Sequence, residues 1–324
     1  MRTLPFQQTQ LGCRVEGVGR WEVEAGGVPV GVQVTRPRAV PWLRLVRVPR
    51  FGRGLDPSAV EEAVTALARL ARERPVLRLH LEAWTEKEEE RQGIGEACRS
   101  HGFGPSPSRS YTRTVWLDLR PPEEEILAGF HATGRRHIRA PGKKGYEVRP
   151  VSEPAAVPAL ERLFHRTFRR TGGTPPRVDW ALLVREGGKP SSRHHLVGLF
   201  PVDAPDQAEP LSFALALLHG EVAEYGHAAS VRDPDVRIPL LYAPTWELMR
   251  WAKSRGASFW DFGGITAGSA DDDDPVGGIS DFKRYFGTSV RRVGEEWRLT
   301  PRPLSSGFAD VVARLAGMAR RMGR

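Results

Sequence analysis

The stretch that decides the fold lies at residues 239–262 and reads PLLYAPTWELMRWAKSRGASFWDF. Apolar side chains recur every three or four positions from Pro239 to Arg255, which predicts an amphipathic helix that ends at Gly256. The next residues, Phe259–Phe262, are bulky and mostly apolar, which predicts a buried strand. A helix that leads directly into a buried strand is typical of a layered α/β protein.

The elements before this helix repeat the order found in the first half of the chain. The second half has predicted strands at Tyr146–Val151, His195–Phe200, Leu211–Leu218 and Glu221–His227, and predicted helices at Ala156–Arg170 and Trp180–Glu186. The first half has predicted strands at Trp21–Ala25, Val28–Val34, Trp42–Val48, Val76–Trp84 and Tyr111–Leu119, and predicted helices at Pro57–Arg72, Gly93–Arg99 and Glu123–Ile138. We therefore expect two copies of one α/β unit, a first domain at 1–148 and a second at 149–296.

Composition excludes several classes of protein. The chain has 324 residues, a mass of 36.0 kDa and a mean hydropathy of -0.40, which suits two folded domains. No apolar run approaches the roughly 20 residues of a membrane-spanning helix, and the first residues show no signal-peptide core, so we expect a cytoplasmic protein. Two cysteines, Cys13 and Cys98, are too few for a zinc site or a disulfide framework. We therefore expect no structural metal.

The charge favours an anionic partner. The formal net charge is +9, which suits nucleic acid, a phosphorylated precursor or an acidic membrane face. Only 6 of the 48 basic residues are lysines, so each lysine is a departure from an arginine-rich background.

The end of the chain resembles a known family. Residues 259–265, FWDFGGI, and 278–287, GISDFKRYFG, are similar to the ending of the Fem family of peptidyl aminoacyltransferases. Further similar segments follow in the same order: Phe6–Gln8, Val48–Gly52, Thr112–Leu119, Arg135–Ala140 and Tyr225–Ser230. The resemblance implies two tandem acetyltransferase-like (GNAT) domains with mixed, mostly antiparallel sheets. It also implies transfer of an amino acid from aminoacyl-tRNA to an amino group of a nucleotide- or lipid-linked peptidoglycan precursor, with no further cofactor, by a protein that we expect to be a monomer.

This reaction asks little of the protein. The aminoacyl ester is already activated, so attack by an amine needs positioning and a cation or N–H group where negative charge develops. The resemblance implies that Lys283 is this cation and that Phe282 packs beside it. The alternative is that Lys283 is an ordinary surface lysine, since lysine side chains are usually exposed.

The substrate-binding residues of the family match this chain only in part. Of the family's phosphate-binding positions, a lysine falls on Glu16, with Arg14 two residues away. An arginine–tyrosine pair falls on Arg177 and Trp180. A further tyrosine falls on His227, with Tyr225 two positions earlier and, by strand alternation, on the same face. The identity of the precursor therefore stays open.

A basic stretch follows the first domain's last predicted helix. It contains Arg135, Arg136, Arg139, Lys143 and Lys144. These cations suit tRNA or pyrophosphate, because phosphate binding is largely electrostatic. An equally acceptable interpretation is a solvated helix end, where cations complement the helix dipole.

Other patterns keep different functions open. Residues 90–95, ERQGIG, resemble the loop with which acetyltransferases bind coenzyme A, so a coenzyme-A-dependent acyltransferase is one alternative and a non-catalytic tRNA- or lipid-precursor-binding protein is another. Consecutive aspartates at 271–274 lack the spacing of a calcium loop. A predicted C-terminal helix, within 297–324, carries an apolar stripe that we expect to pack on the first domain, with contact to the anionic inner face of a membrane as the alternative.

Overall fold

Two units divide the chain by their internal contacts. The computed structural model describes residues 4–303 and 307, apart from residues 26, 39, 171, 207, 234, 273 and 275. Unit 1 consists of the chain up to Arg14, Val18–Thr112 and the chain from Arg292 onward, whereas unit 2 consists of Val15–Gly17 and Arg113–Arg291. No helix of the described ranges is long and apolar enough to cross a membrane.

Unit 1 is built on a six-stranded sheet. Its strands are β1 (Gly19–Ala25), β2 (Val28–Thr35), β3 (Arg44–Gly52), β4 (Val76–Trp84), β5 (Gly104–Ser106) and β13 (Gly294–Leu299). They lie in the order β1-β2-β3-β4-β13-β5, and only β3 and β4 are parallel. Its helices are α1 (Gln10–Glu16), which continues past Arg14, α2 (Pro57–Glu73) and α3 (Glu88–Ser100).

Helix α2 covers one face of this sheet. The Asp56 carboxylate accepts a hydrogen bond from the Ala59 N–H and so fixes the start of the helix. The apolar stripe of α2 then packs on the sheet, where Val64 and Leu67 join Val46 and Leu79 in one fully buried core.

The parallel strands of unit 1 stay paired along their length. Pairing of β3 with β4 runs to Val48↔Leu81, skips two residues and resumes at Phe51↔Ala83. Arg50 lies in this interruption with a φ of 53°, the left-handed conformation that non-glycine residues rarely adopt. Its guanidinium donates to the Glu82 carboxylate at 2.6 Å and lies over the Tyr111 ring at 4.6 Å. A buried ion pair therefore occupies the place where the two strands could separate.

Unit 2 is built on a seven-stranded sheet. Its strands are β6 (Arg113–Asp118), β7 (Tyr146–Pro150), β8 (His194–Pro201), β9 (Ser212–His219), β10 (Val222–Ser230), β11 (Phe259–Gly264) and β12 (Val290–Arg292). They lie in the order β12-β6-β11-β10-β9-β8-β7, and the β10–β11 pair is parallel. Its helices are α4 (Glu123–Gly129), α5 (Ala132–Lys143), α6 (Val157–Arg170), α7 (Trp180–Gly187), α8 (Tyr242–Ser254) and α9 (Gly277–Arg284). The predicted fold class, two α/β units with mixed and mostly antiparallel sheets, is confirmed.

The boundary between units differs from the predicted division at 148/149. Strand β6 pairs with β11, through partners such as Trp116↔Asp261, so the chain from Arg113 belongs with the second sheet. Strand β13 returns to the first sheet, between β4 and β5. Residues 297–299 are therefore in a strand and not in the predicted C-terminal helix, because their backbone pairs with β4. The rest of that predicted helix, 304–306 and 308–324, lies outside the described residues.

Two other predicted elements differ in their bounds. The helix predicted at Gly93–Arg99 is longer, since α3 runs from Glu88 to Ser100, and residues 90–95 lie at its start, where the Arg91 N–H donates to the Lys87 carbonyl at 3.2 Å. The single helix predicted at Glu123–Ile138 is two helices. Between them Phe130 is buried against Trp246 and Phe286, and the His131 side chain caps the second helix.

Candidate active site

The parallel strands of unit 2 separate after a short pairing. Strand β10 pairs with β11 only from Val222↔Phe259 to Glu224↔Asp261. Directly after Glu224, β10 contains a bulge between Tyr225 and His227. A bulge bends its strand and increases the local twist, so β10 turns away from β11 at this point. The separation creates an opening in the sheet that backbone pairing does not fill.

Lys283 reaches this opening from the last turn of α9. Its side chain is only 6% exposed, so the interpretation as a surface lysine is wrong. The Nζ donates a hydrogen bond to the carbonyl oxygen of Gly264, the last residue of β11. An ammonium group has three N–H donors, so two remain after this bond. The position of Lys283 is therefore fixed by a backbone atom at the mouth of the opening.

Two buried carboxylates lie on the same sheet face at the paired end of the opening. Glu224 and Asp261 are direct partners on adjacent strands, so their side chains point to one face. Asp261 accepts from the Gly263 N–H at 2.7 Å and from the Thr114 hydroxyl, and Glu224 is hydrogen-bonded to His219 at 2.9 Å. Each carboxylate is thus held in one orientation by groups around it.

Burial and nearby carboxylates have opposite effects on the pKa of Lys283. Burial lowers its pKa to about 8, because the interior disfavours the charged form. The charges of Asp261 and Glu224 oppose this and favour the protonated amine. Lys283 is therefore mostly a cation at neutral pH, yet it loses its proton far more easily than an exposed lysine.

Phe282 anchors α9 on the opposite face of the sheet. Its ring lies 4.8 Å from that of Tyr242 and 6.2 Å from that of Tyr225, centroid to centroid. The same aromatic cluster includes Phe286 and Tyr285. Phe282 is thus a packing partner of the site, as expected, and it fixes the helix from which Lys283 projects.

The bulge in β10 places the predicted substrate-binding residues of the second domain on two different faces of the sheet. His227 lies with the buried Trp180, at a ring distance of 6.1 Å, and Phe164 packs against both. Tyr225 pairs with Ala216 and His227 with the next residue of β9, Leu215, so the two side chains point to opposite faces. The expectation that they share a face is therefore wrong, because Gly226 is the extra residue of the bulge.

His227 shares its face with Glu224 rather than with Tyr225. Glu224 pairs with Leu217 and His227 with Leu215, two residues apart on β9. Burial lowers the pKa of His227 to about 4, so its imidazole is neutral at physiological pH. Its neutral ring and the Trp180 indole form an uncharged wall on the face that carries Glu224 and Asp261.

Two predicted cationic substrate residues are exposed. Arg177 lies before α7, and its side chain packs against Gly17, where an added Cβ would come within 2.7 Å of it. Arg14 is exposed on α1, in unit 1. The geometry places Arg177 near the start of the helix that carries Trp180 but gives Arg14 no assigned role.

The basic stretch forms one face of helix α5. The face is lined by Ala132, Arg135, Arg136, Arg139, Ala140, Lys143 and Lys144, around an open pocket of about 390 Å³. Arg136, Arg139 and Lys143 are exposed. Arg135 is tied down by hydrogen bonds to the carbonyls of Ala128 and Phe130, and the Lys144 Nζ donates to the Arg237 carbonyl at 3.1 Å. Five cations line the pocket without an acidic residue.

This basic face is joined to the lysine's helix. The His131 N–H, just before α5, donates to the Tyr285 carbonyl at 3.0 Å. Gly134 packs so closely that a Cβ there would lie 2.8 Å from the same oxygen. The start of α5 is therefore attached to Tyr285, two residues beyond Lys283 on the same chain segment.

Sequence reasoning missed Glu224 and Tyr242. Glu224 is a lone carboxylate in an apolar strand, a pattern that signals a buried charge with a purpose. Tyr242 contacts the site only because α8 and α9 are adjacent in space. Among the described residues, no group of three His, Cys, Asp or Glu side chains is arranged to hold a metal ion.

Comparison with known proteins agrees with this arrangement. The FemAB family model matches residues 202–314, a segment that includes β10, β11 and α9. No curated protein sequence matches the chain. A crystal structure of FemX covers 94% of this chain and 94% of its own, with a TM-score of 0.72 and 15% identity.

Two further structures share the fold at lower similarity. L-PGS from Bacillus licheniformis has a TM-score of 0.54 and 12% identity, and the match covers 98% of this chain and 93% of that one. The C-terminal domain of a proposed lysylphosphatidylglycerol synthetase from Agrobacterium fabrum has a TM-score of 0.53 and 10% identity, over 95% and 92%. Residues 202–314 are thus similar to the FemAB family, and the chain shares the fold of FemX over nearly its whole length.

Proposed function

We propose that this protein transfers an amino acid from aminoacyl-tRNA to an amino group of a peptidoglycan precursor. The observation that carries the proposal is the buried Lys283, held on the Gly264 carbonyl at the opening between β10 and β11. Burying a cation lowers stability, because the interior disfavours charge, so a buried lysine in an arginine-rich chain indicates a functional role. Its position in the FemAB-matched segment suits an acyl-transfer centre.

The chemistry follows from the remaining donors of Lys283. The acceptor amine attacks the ester carbonyl carbon, and negative charge develops on the carbonyl oxygen. An N–H of Lys283 aimed at that oxygen stabilises the charge. The C–O bond to the tRNA ribose then breaks, and the proton of the attacking amine passes to the ribose oxygen. Asp261 and Glu224 keep Lys283 charged during this step.

The basic face of α5 supports tRNA as the donor. Its cations are presented together on one exposed helix face, and phosphate backbones are bound mainly through such charge. Because the His131–Tyr285 hydrogen bond ties α5 to α9, phosphates bound along this face lie at a fixed position relative to Lys283.

The acceptor's side of the site is less charged. The partly exposed, neutral His227, backed by the buried Trp180, offers stacking contact, and Arg177 supplies a cation for a phosphate or carboxylate. This set departs from the family pattern at Trp180 and His227. Whether the precursor is carried by a nucleotide or by a lipid is therefore a question for experiment.

The two alternative functions have less support. Glu88, Glu89 and Glu90 lie in the first turn of α3, where their charges would repel the pyrophosphate of coenzyme A. A protein that only binds tRNA or precursor has no need of a buried lysine, since exposed cations serve electrostatic binding equally well.

A donor and acceptor screen tests the proposal. The protein is incubated with a mixture of charged tRNAs and, in parallel, nucleotide-linked precursor, lipid-linked precursor or phosphatidylglycerol, and the products are identified by mass. We expect a precursor whose mass is raised by one amino acid. Robust transfer from an acyl-coenzyme A without tRNA, or aminoacylation of phosphatidylglycerol alone, would contradict the proposal.

A further inference from the structure

An exposed tryptophan stands at one edge of unit 1. Trp42, in the connection between β2 and β3, is 64% exposed, more than the other large apolar side chains that stand out at the surface of the described chain. Tryptophan is a large apolar group with a single polar N–H, and it is enriched where an apolar phase meets water. Its exposure therefore suggests a surface that is covered in use.

The residues on both sides of Trp42 are anchored to unit 1, and this anchoring keeps the indole at the surface. Val40 and Leu43, on either side, are buried in a small cluster with Leu77. The Leu43 N–H donates to the Val40 carbonyl at 3.0 Å, and the Arg44 guanidinium donates to the Pro41 carbonyl at 2.9 Å. With both flanks anchored, the indole is presented to solvent at a fixed position.

The surroundings of Trp42 are strongly basic. Three arginines, Arg36, Arg38 and Arg44, lie within six residues of Trp42 along the chain, and no aspartate or glutamate lies between Ala25 and Leu55. Arg36 and Arg38 are exposed in the same connection. The Arg44 N–H donates to the Pro75 carbonyl at 2.8 Å, so the connection is joined to the start of β4. We call Arg36, Arg38, Trp42 and Arg44 the Trp42 surface.

Arg302, which follows β13, lies at the same edge. The Arg302 guanidinium donates to the Val76 carbonyl at 2.9 Å and to the Ala71 carbonyl at 3.3 Å, next to Pro75. The sequence that follows contains Arg314, Arg320, Arg321 and Arg324.

We propose that the Trp42 surface docks the protein on an anionic lipid bilayer. An indole enters the headgroup region while arginines around it pair with lipid phosphates, and this mode needs neither a groove nor shape complementarity. A protein partner requires a larger apolar patch than one side chain. The phosphates of a nucleic-acid duplex would pair with the arginines, but its stacked bases would not contact an isolated indole.

Vesicle flotation of the full chain tests this docking. The probe is phosphatidylcholine vesicles with about one-third phosphatidylglycerol, compared with pure phosphatidylcholine. We expect binding to the anionic vesicles only. Trp42→Ser should lower the partition coefficient about ten-fold, and Arg36→Gln/Arg38→Gln by a similar factor that disappears at high salt. The urea midpoint of each variant shows that it folds.

A charge-matched control separates docking from general basicity. Arg166→Gln/Arg169→Gln removes two exposed charges from α6 and should leave partitioning within about two-fold of wild type. The proposal is overturned if wild type does not bind anionic vesicles, if Trp42→Ser binds like wild type, or if the control loses as much as the Arg36 and Arg38 variant. Because no transfer reaction is measured, this outcome is independent of the proposed activity.

Discussion

Unit 1 and unit 2 share a parallel strand pair at the centre of the sheet, but they use it differently. In unit 1, β3 and β4 rejoin after their interruption, and the Arg50–Glu82 ion pair fills the gap. In unit 2, β10 and β11 separate after three pairs, and Lys283 enters the gap from α9. The Arg50–Glu82 ion pair fills the first gap. The second gap stays open and contains the Lys283 ammonium, which has N–H donors beyond its bond to Gly264. Under the proposed function, the charges of unit 1 support the fold and those of unit 2 serve the transfer reaction.

The largest expected effect comes from removing the cation of unit 2. Lys283→Met should reduce kcat by about 10²–10³-fold, because it removes a donor that serves the transition state. Affinity for the precursor should stay within a few-fold. Steady-state kinetics measure both, with the exposed Lys189→Met as the matched control. Wild-type kcat in Lys283→Met would remove the proposed difference between the units.

The ion pair of unit 1 should control stability instead. Glu82→Gln leaves Arg50 and Arg47 without their carboxylate in a buried setting, so it should lower the free energy of unfolding by about 3 kcal/mol. Urea denaturation measures this loss. A Glu82→Gln variant that is as stable as wild type would show that the closed gap does not support the fold.

The carboxylates of unit 2 should act through Lys283. Asp261→Asn removes one of the charges that favour the protonated amine, so kcat should fall about ten-fold at pH 7 and the alkaline loss of activity should begin at lower pH. The pH profile is the decisive readout, since a purely structural role would lower the amplitude without moving the profile.

The pH dependence should follow the depressed pKa of Lys283. Its cationic form, which the reaction needs, is lost as pH rises through about 8, so kcat should fall above that pH. Stability should change in the opposite direction. Because the folded pKa lies below the unfolded one, the cost of burying the charge is full below pH 8 and fades as pH rises towards 10. Lys283→Arg should keep its charge, and a rate that still declines near pH 8 in this variant would assign the titration to another group.

The smallest expected effect concerns the basic face. Arg136→Gln/Arg139→Gln should raise KM for aminoacyl-tRNA several-fold and reduce the salt slope by about 2, with kcat unchanged. Arg166→Gln/Arg169→Gln on α6 is the control with the same loss of charge. Equal effects from both variants would show that α5 has no special part in tRNA binding.

The sequence predicts helices and strands better than it predicts which strands pair. Local periodicity is enough for α2 and for the strands of both sheets, because capping by Asp56 and apolar alternation act over a few residues. The boundary at 148/149 failed because β6 pairs with β11, more than a hundred residues later, and no local signal reports that pairing.

The site shows the same limit. Lys283 stands out as a rare lysine within a recognisable segment, and Phe282 comes with it. The bulge at Gly226, which separates Tyr225 from His227, depends on a register that alternation alone does not reveal. The local pattern predicts the start of α3 at Gly93 because the glycines dominate it, whereas the helix begins at Glu88, with three glutamates in its first turn.

A side-by-side single-turnover experiment tests the contrast between the two gaps most directly. Lys283→Met and Glu82→Gln are mixed with aminoacyl-tRNA and precursor, and each transfer rate is divided by the folded fraction measured under the same conditions. We expect Lys283→Met to be fully folded with a rate about 10²–10³-fold below wild type, and the folded Glu82→Gln to transfer at the wild-type rate. A wild-type rate in Lys283→Met, or a comparable loss in folded Glu82→Gln, would contradict the assignment of chemistry to unit 2.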